Sequence, residues 1–308
     1  MLSKRTVLIL GAGASAPYGF KTGRGQLDWA RALGAEALAA HAAPFSRALV
    51  PQLNLTLRDT GERSIDAMLR ADSPLLPLAK ALMARDLLRA ERVIVTPPSE
   101  KDSYWYRTLY AALPRHTLHA FRRAPLAIYT FNYDRSLDYF LWRALAVAFP
   151  QATATEVAEA LDCIGPFHLH GQLGRLYTEA PGNDEVLEYG GSASPGDEFS
   201  DSDVQKAARQ IKLISETYAT DEFFVRAQNA ISEADQVVFL GFGFHPDNLA
   251  KLRLRDCLRH ETQTFASACG LTQQHTNWLR TKFGVAANFG NEGWDVARFL
   301  AVTPQILD

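Results

Sequence analysis

Three short stretches carry residue types suited to chemistry at one edge of a sheet: Gly11-Ala12-Gly13-Ala14-Ser15, Thr130-Phe131-Asn132-Tyr133-Asp134 and His168-Leu169-His170-Gly171. The first directly follows the apolar run Val7 to Leu10. Glycines in that place let main-chain amides approach a pyrophosphate with no side chain in the way, and a helix starting there adds partial positive charge. Phosphate binding at Gly11, Ala12, Gly13 and Ser15 is therefore expected. The Asn132 amide offers both donor and acceptor, enough to hold a ribose hydroxyl or a water. Asp134 suits either capping the next helix or accepting from a ligand amide. His170 is the expected general base, a role that contributes roughly a hundred- to ten-thousand-fold when the pKa is near neutral. His168 shares its face if Pro166 to Gly171 is extended, and is expected to be packed and hydrogen-bonded.

A fourth stretch, Gly241-Phe242-Gly243-Phe244-His245, follows the apolar Gln236 to Leu240 and offers a second place for close backbone approach. His245, just before Pro246, is expected at the start of the next helix. The glycine turn departs from the dinucleotide fingerprint of dehydrogenases: the third glycine falls at Ala16, and no acidic residue is well placed about twenty residues later for a ribose. An ordinary nicotinamide dehydrogenase is disfavoured. The His-x-His pair has no nearby cysteine or carboxylate set at ligand spacing, so no metal site is expected.

These residues need elements to hold them. The chain has 308 residues, 47% hydrophobic and 21% charged, enough for a substantial core in one large or two modest domains. Lysine and arginine total 32 against 34 acids, and a net charge of −2 gives no global reason to bind nucleic acid or a membrane surface. No stretch reaches the roughly 18 apolar residues of a membrane span, and the apolar run before Gly11 is too short for a signal core. Cytoplasmic residence is the expectation. Cys163, Cys257 and Cys269 are odd in number and widely spaced, and are expected as buried thiols.

Apolar strand runs at Val7 to Leu10, Leu126 to Phe131, Gln236 to Leu240, Thr264 to Ala268 and Val285 to Phe289 alternate with segments of helical period. That alternation predicts an α/β fold, a Rossmann-like doubly wound parallel sheet. Residues from about 27 to 122 interrupt it and read as an inserted helical module. Within that module Leu27 to Ala42 and Leu75 to Arg92 have helical spacing, Ser73-Pro74 reads as a helix start, and Thr96-Pro97-Pro98 as a stop. Ser103 to Leu113, with Tyr104, Trp105, Tyr106 and Tyr110, reads as an aromatic helix in the core or at a subunit contact. Tyr177 to Asp203, rich in glycine, serine, proline and acids, reads as a loop: a lid, a regulator contact or a solvated insertion.

The motifs in their order, Gly-Ala-Gly-Ala-Ser, Thr-x-Asn-x-Asp, His-Gly and a late Gly-x-Gly, resemble the sirtuin (Sir2-like) superfamily, over most of the chain from Val7 to about Leu300. The short Thr-Phe-Asn-Tyr-Asp form and the Leu-His-Gly motif are similar to those of bacterial Sir2-like effector domains of anti-phage systems. The resemblance implies a single Sir2-like domain over residues 1–308. It implies an NAD diphosphate site lined by Gly11, Ala12, Gly13 and Ser15, with Gly241 and Gly243 near the adenosine half. It makes Asn132 and His170 the catalytic pair and places Asp134 near the nicotinamide or in support of the loop. Deacylating sirtuins carry a four-cysteine zinc ribbon after their His-Gly, yet residues 172 to 256 here contain no cysteine. They also carry Gly-Ile-Pro-x-Phe-Arg after the glycine turn where this chain has Gly19-Phe20-Lys21-Thr22-Gly23, and a polar residue where it has Phe131. The implied activity is hydrolysis of NAD+ to nicotinamide and ADP-ribose without zinc, restrained by homo-oligomerisation or by a separately encoded regulatory or sensor protein. NAD-dependent deacylation, ADP-ribosyl transfer and non-catalytic sensing of NAD+ or ADP-ribose are the alternatives.

Overall fold

The computed structural model describes residues 2–93, 105–176, 186–192 and 199–308. The helix stop at Thr96-Pro97-Pro98, the Ser103-Tyr104 pair and residues 177–185 and 193–198 of the polar loop lie outside them.

Among the described residues six strands form one parallel sheet: β1 (Thr6–Leu10), β2 (Leu126–Thr130), β3 (Phe167–His168), β4 (Gln236–Leu240), β5 (Gln263–Ala266) and β6 (Asn288–Phe289). Their order is β3-β2-β1-β4-β5-β6, that of the doubly wound dinucleotide folds. β1 and β4 are buried at every residue, as strands covered on both faces must be, which is why they read as unbroken apolar runs. Alternation divides the side chains between two cores: Leu8, Leu10, Ile128, Val238 and Leu240 face one, and Val7, Ile9, Tyr129, Val237 and Phe239 the other.

The first core is roofed by the block between β1 and β2: α1 (Gly23–Ala32), α2 (Ala35–Ala42), α3 (Val50–Asp59), α4 (Ile65–Met68), α5 (Leu76–Val93), α6 (Trp105–Ala112) and α7 (Leu118–Arg122). Between β2 and β3 come α8 (Ser136–Ala148) and α9 (Ala154–Ile164), and between β3 and β4 come α10 (Asp201–Gln210) and α11 (Glu222–Glu233). Then α12 (Pro246–Leu252) and α13 (Leu254–Cys257) precede β5, α14 (Gln273–Phe283) precedes β6, and α15 (Val296–Val302) follows it. Phe224, Ile231, Leu249, Leu252 and Leu279 of α11, α12 and α14 cover the second face. Helices on both faces of a parallel sheet, with a helical block inserted after β1, are the Rossmann-like architecture expected.

Several local expectations change. Leu27 to Ala42 is two helices, because Leu33 leaves helical geometry and Gly34 caps α2 in an extended conformation. The aromatic helix begins, among the described residues, at Trp105 and is core: Trp105 and Tyr106 are almost fully buried. The polar loop ends earlier than Asp203, because the Ser200 side chain accepts from the Asp203 amide and caps α10, with Asp201 and Asp203 in its first turn. Cys163 and Cys269 are exposed and Cys257 is half-buried, so the expectation of buried thiols is corrected. Cys163 lies near the end of α9 on its outer side and Cys269 in the turn after β5, so neither reaches a core.

A fully buried ion pair ties the inserted block to the sheet domain. Arg135, just before α8, meets Glu91 of α5 at 2.6 Å, and both side chains are fully buried. The guanidinium also donates to the carbonyls of Gly174, Leu187 and Glu188, while Glu91 accepts from the Gly190 amide. The described part of the polar loop, residues 186–192, is thereby pinned across this pair, and Tyr189 stacks on Tyr139 of α8 at 4.1 Å.

Candidate functional site

In-register pairing sets the placement. Leu10 pairs with Thr130 on one side and Leu240 on the other, and Thr130 pairs with His168. Gly11, Phe131, Leu169 and Gly241 therefore leave four adjacent strands side by side at their carboxyl ends, where open α/β sheets hold ligands. Asn132 and His170 each follow one residue further on.

The glycine turn does not start an α-helix. Two short 3-10 turns, Ala12–Ala14 and Ala16–Tyr18, follow β1 instead, and α1 begins only at Gly23. Pro17 and the left-handed Gly19 (φ 90°) end the second turn before any helix can propagate. The expected helix start behind the turn is thus corrected, and with it the axial partial charge at this point. The amides are engaged within the protein: Gly11 donates to the Leu240 carbonyl at 3.0 Å, Gly13 to the Gly241 carbonyl at 2.9 Å, and Ser15 to the Ala12 carbonyl at 3.2 Å. Close approach of the two turns explains the glycines. A Cβ on Gly13 would meet Gly241 Cα and its carbonyl oxygen at 2.9 Å, and one on Gly241 would meet the Ala14 nitrogen at 2.0 Å. Gly243 is different, being exposed with nothing near the position of a Cβ.

Asn132 is 8% exposed. Its Nδ2 donates to the Gly11 carbonyl at 3.1 Å and to Ser15 Oγ at 3.0 Å. Asp134 accepts from the backbone and hydroxyl of Ser136, the first residue of α8, in a turn ahead of the helix whose N-cap residue is Arg135, and Ser136 Oγ meets the Tyr106 hydroxyl at 2.7 Å. Burial pushes the Asp134 carboxyl above its ordinary value, against hydrogen bonds from Ser136 and Ser15 that lower it. Trp105 donates to the Ala14 carbonyl at 2.8 Å, so α6 buttresses the glycine turn directly. Ser15, Asn132, Asp134 and Tyr106 line a cavity of about 10 Å³, room for about one water.

The two histidines differ. His168 directs Nδ1 at the Asn132 carbonyl, 2.7 Å away, and Nε2 at the Asp138 carboxylate, 3.3 Å away. Acceptors at both nitrogens favour the doubly protonated ring. Desolvation opposes that charge, but Asp138 and the Asn132 carbonyl outweigh it and hold the pKa above 6.5. His168 thus has the packed, hydrogen-bonded place expected of it, and it anchors the main chain of Asn132. His170 is 1% exposed and sits against the rings of Phe131 and Phe224 at 5.3 and 5.7 Å. Its Nε2 lies 3.0 Å from Asn248 Oδ1 and its Nδ1 2.9 Å from Thr217 Oγ1. Desolvation lowers its pKa from 6.5 to about 4, with nearby Lys251 adding to the effect and the Asn248 bond opposing it, so the ring is neutral near pH 7 and its pKa lies below the near-neutral value expected of a general base. His245 caps α12, its Nδ1 accepting from the Asp247 amide.

No family model matches the chain, and no curated protein matches it. The site is described by its geometry alone. Gly11, Ser15 and Asn132 meet directly, with Asp134 one hydroxyl away; Gly13, in the same turn, is bonded to Gly241. His170 belongs to a neighbouring network on the Phe131 side, and among the described residues it shares no hydrogen-bond partner with Asn132. Sequence reading missed Thr217, Asn248 and Lys251, and placed Tyr106 in the aromatic helix without a part in the site. Only Asn248 carried a signal, lying on the first turn of the helix that the Gly-x-Gly stretch opens. No group of three or more metal-ligating side chains occurs among the described residues. No helix among them is long and apolar enough to cross a membrane.

Proposed function

We propose that this chain hydrolyses NAD+ to nicotinamide and ADP-ribose and acts as a regulated effector of the anti-phage type that its motifs resemble. The observation that carries the reading is the register of β3, β2, β1 and β4, which brings the glycine turn, Asn132, His170 and the Gly241 turn to one edge of the sheet. Breaking the ribosyl–nicotinamide bond builds positive charge on the anomeric carbon, so the residues must orient the ribose and admit one water. In this reading Asn132, held by Gly11 and Ser15, orients a hydroxyl or water, and His170 accepts a proton from one. NAD+ is here a substrate, and neither zinc nor another metal has a role in this reading.

The fit to a dinucleotide is conditional on movement. The cavity at Asn132 holds about one water, and Gly13 and Gly241 are bonded to each other across the crevice where the diphosphate would lie. The two turns must part for substrate to enter. A closed resting state suits an activity that would otherwise drain a cell's NAD+, and homo-oligomerisation or a separately encoded regulatory protein would supply the opening signal. A second reading, a non-catalytic sensor of NAD+ or ADP-ribose, is favoured by one observation: both ring nitrogens of His170 are already engaged.

Nicotinamide release from NAD+ by the purified chain, alone and with candidate activators, separates the two. The hydrolase reading expects release that Asn132→Ala and His170→Ala each reduce at least about a hundredfold while nucleotide binding persists. Unchanged release in both variants would refute the assignment, and tight binding with no release under any condition favours the sensor.

A further inference from the structure

We infer that Asn248 is a positioning residue for His170, holding the imidazole as its Nε2–H tautomer and so making Nδ1 the ring atom that accepts a proton. Asn248 lies on the first turn of α12, 8% exposed, and its carbonyl oxygen Oδ1 can only accept, so the proton at the 3.0 Å contact belongs to His170 Nε2. At the other nitrogen the donor is Thr217. Its Oγ1 receives a hydrogen bond from Lys251 Nζ at 2.8 Å, which leaves the hydroxyl proton for Nδ1 at 2.9 Å in preference to the Ile214 carbonyl at 3.3 Å. The groups facing the ring are thus Asn248 and Lys251 from α12, Thr217 from the turn before α11, Phe224 from α11 and Phe131 from the end of β2, with His245 and Asp221 acting through charge. The Lys251 ammonium opposes a second proton on the ring, so the neutral tautomer is held from both sides.

The assignment adds an atom to the proposed reaction and rests on that reading only for the identity of the proton donor. Thr217 Oγ1 occupies, against Nδ1, the place a ribose hydroxyl or water would take. When either replaces it, the O–H bond breaks and the N–H bond forms at Nδ1. Imidazole becomes imidazolium, and the oxygen keeps the electron pair. Asn248 touches no reacting atom, and its effect runs through the ring.

Nitrogen-15 histidine labelling of the full chain, with His170 assigned from the His170→Gln spectrum, reads the tautomer directly. The wild type at pH 7 is expected as Nε2–H, Asn248→Ala as a tautomer mixture, and Asn248→Asp with its midpoint raised by about one unit or more, because a carboxylate favours imidazolium. Thr217→Val should keep the Nε2–H form. In the release assay, Asn248→Ala is expected to lower kcat about tenfold or more with KM little changed. An Nδ1–H wild type, or an unchanged tautomer in Asn248→Ala, overturns the assignment. If the alanine variant does not fold, the near-isosteric aspartate carries the test, and an unmoved midpoint there overturns it equally. A wild type that shows Nε2–H and never releases nicotinamide supports the tautomer assignment and counts against hydrolysis, so the two failures are distinguishable.

Discussion

At the scale of single residues, the two histidines of one motif shift in opposite directions, because burial disfavours charge on both rings and only His168 faces a carboxylate, Asp138, that outweighs it. This has a thermodynamic consequence. His170 has its pKa depressed from 6.5 to about 4, so the unfolded chain binds a proton that the folded chain refuses between those values. Its contribution to stability is complete above about pH 6.5 and is lost as the pH falls toward about 4, on the order of 3 kcal/mol in all. His168, with its pKa raised, contributes in the other sense: fully below 6.5, and progressively less as the pH rises through its folded value. Urea denaturation of His170→Gln across pH 4 to 8 should therefore show a flatter acid limb than wild type, whereas His168→Gln should lose stability mainly at the acid end. Parallel acid limbs in wild type and His170→Gln would contradict the buried, neutral imidazole.

At the scale of elements, the turns after β1 and β4 act as a pair. Gly241 has φ 58°, and a Cβ there would strike the Ala14 nitrogen, a backbone atom with little freedom to move. Gly241→Ala is predicted to destabilise by roughly 1–3 kcal/mol or more, whereas Gly243→Ala, in open space, should stay within about 0.5 kcal/mol of wild type. Thermal unfolding of the two variants checks this, and equal losses would show that the interlock is not what requires glycine. The Gly-x-Gly pattern was legible in the sequence, but its reason was not. Glycine permits approach by a ligand or by another stretch of main chain, and here the second Gly-x-Gly turn is the neighbour that the first one needs.

At the scale of the molecule, two cores sandwich one sheet, and the crevice between β1 and β4 is where the winding reverses direction. Because the crevice is bridged, a dinucleotide bound there must exchange a protein contact for its own. NAD+ at a hundredfold excess over its dissociation constant should raise stability by about 2.7 kcal/mol, and the Gly13 amide, bonded to Gly241, should change its hydrogen-exchange protection when nucleotide binds. Stabilisation without any change at Gly13 would locate the nucleotide elsewhere.

The sequence by itself determined β1, β2, β4 and β5, the doubly wound class and the edge at which the polar motifs emerge, since these follow from apolar runs of strand length separated by helical period and turn residues. By contrast, β3 and β6 keep only two residues each of Pro166 to Gly171 and Val285 to Phe289. β4 coincides with the run read from Gln236 to Leu240, and β2 ends one residue before Phe131. Local chemistry also determined the turn at Asp134 and the cap at His245, which bond within two residues of themselves. Only the tertiary structure decided that the Gly11 turn leads into 3-10 geometry, that Tyr106 of a distant helix closes the cavity at Asn132, and that His170 is held by Thr217 and Asn248. Those partners lie 47 and 78 residues away along the chain. Periodicity reports which face of an element is buried; which polar groups meet across elements depends on how those faces pack, and no local pattern records it.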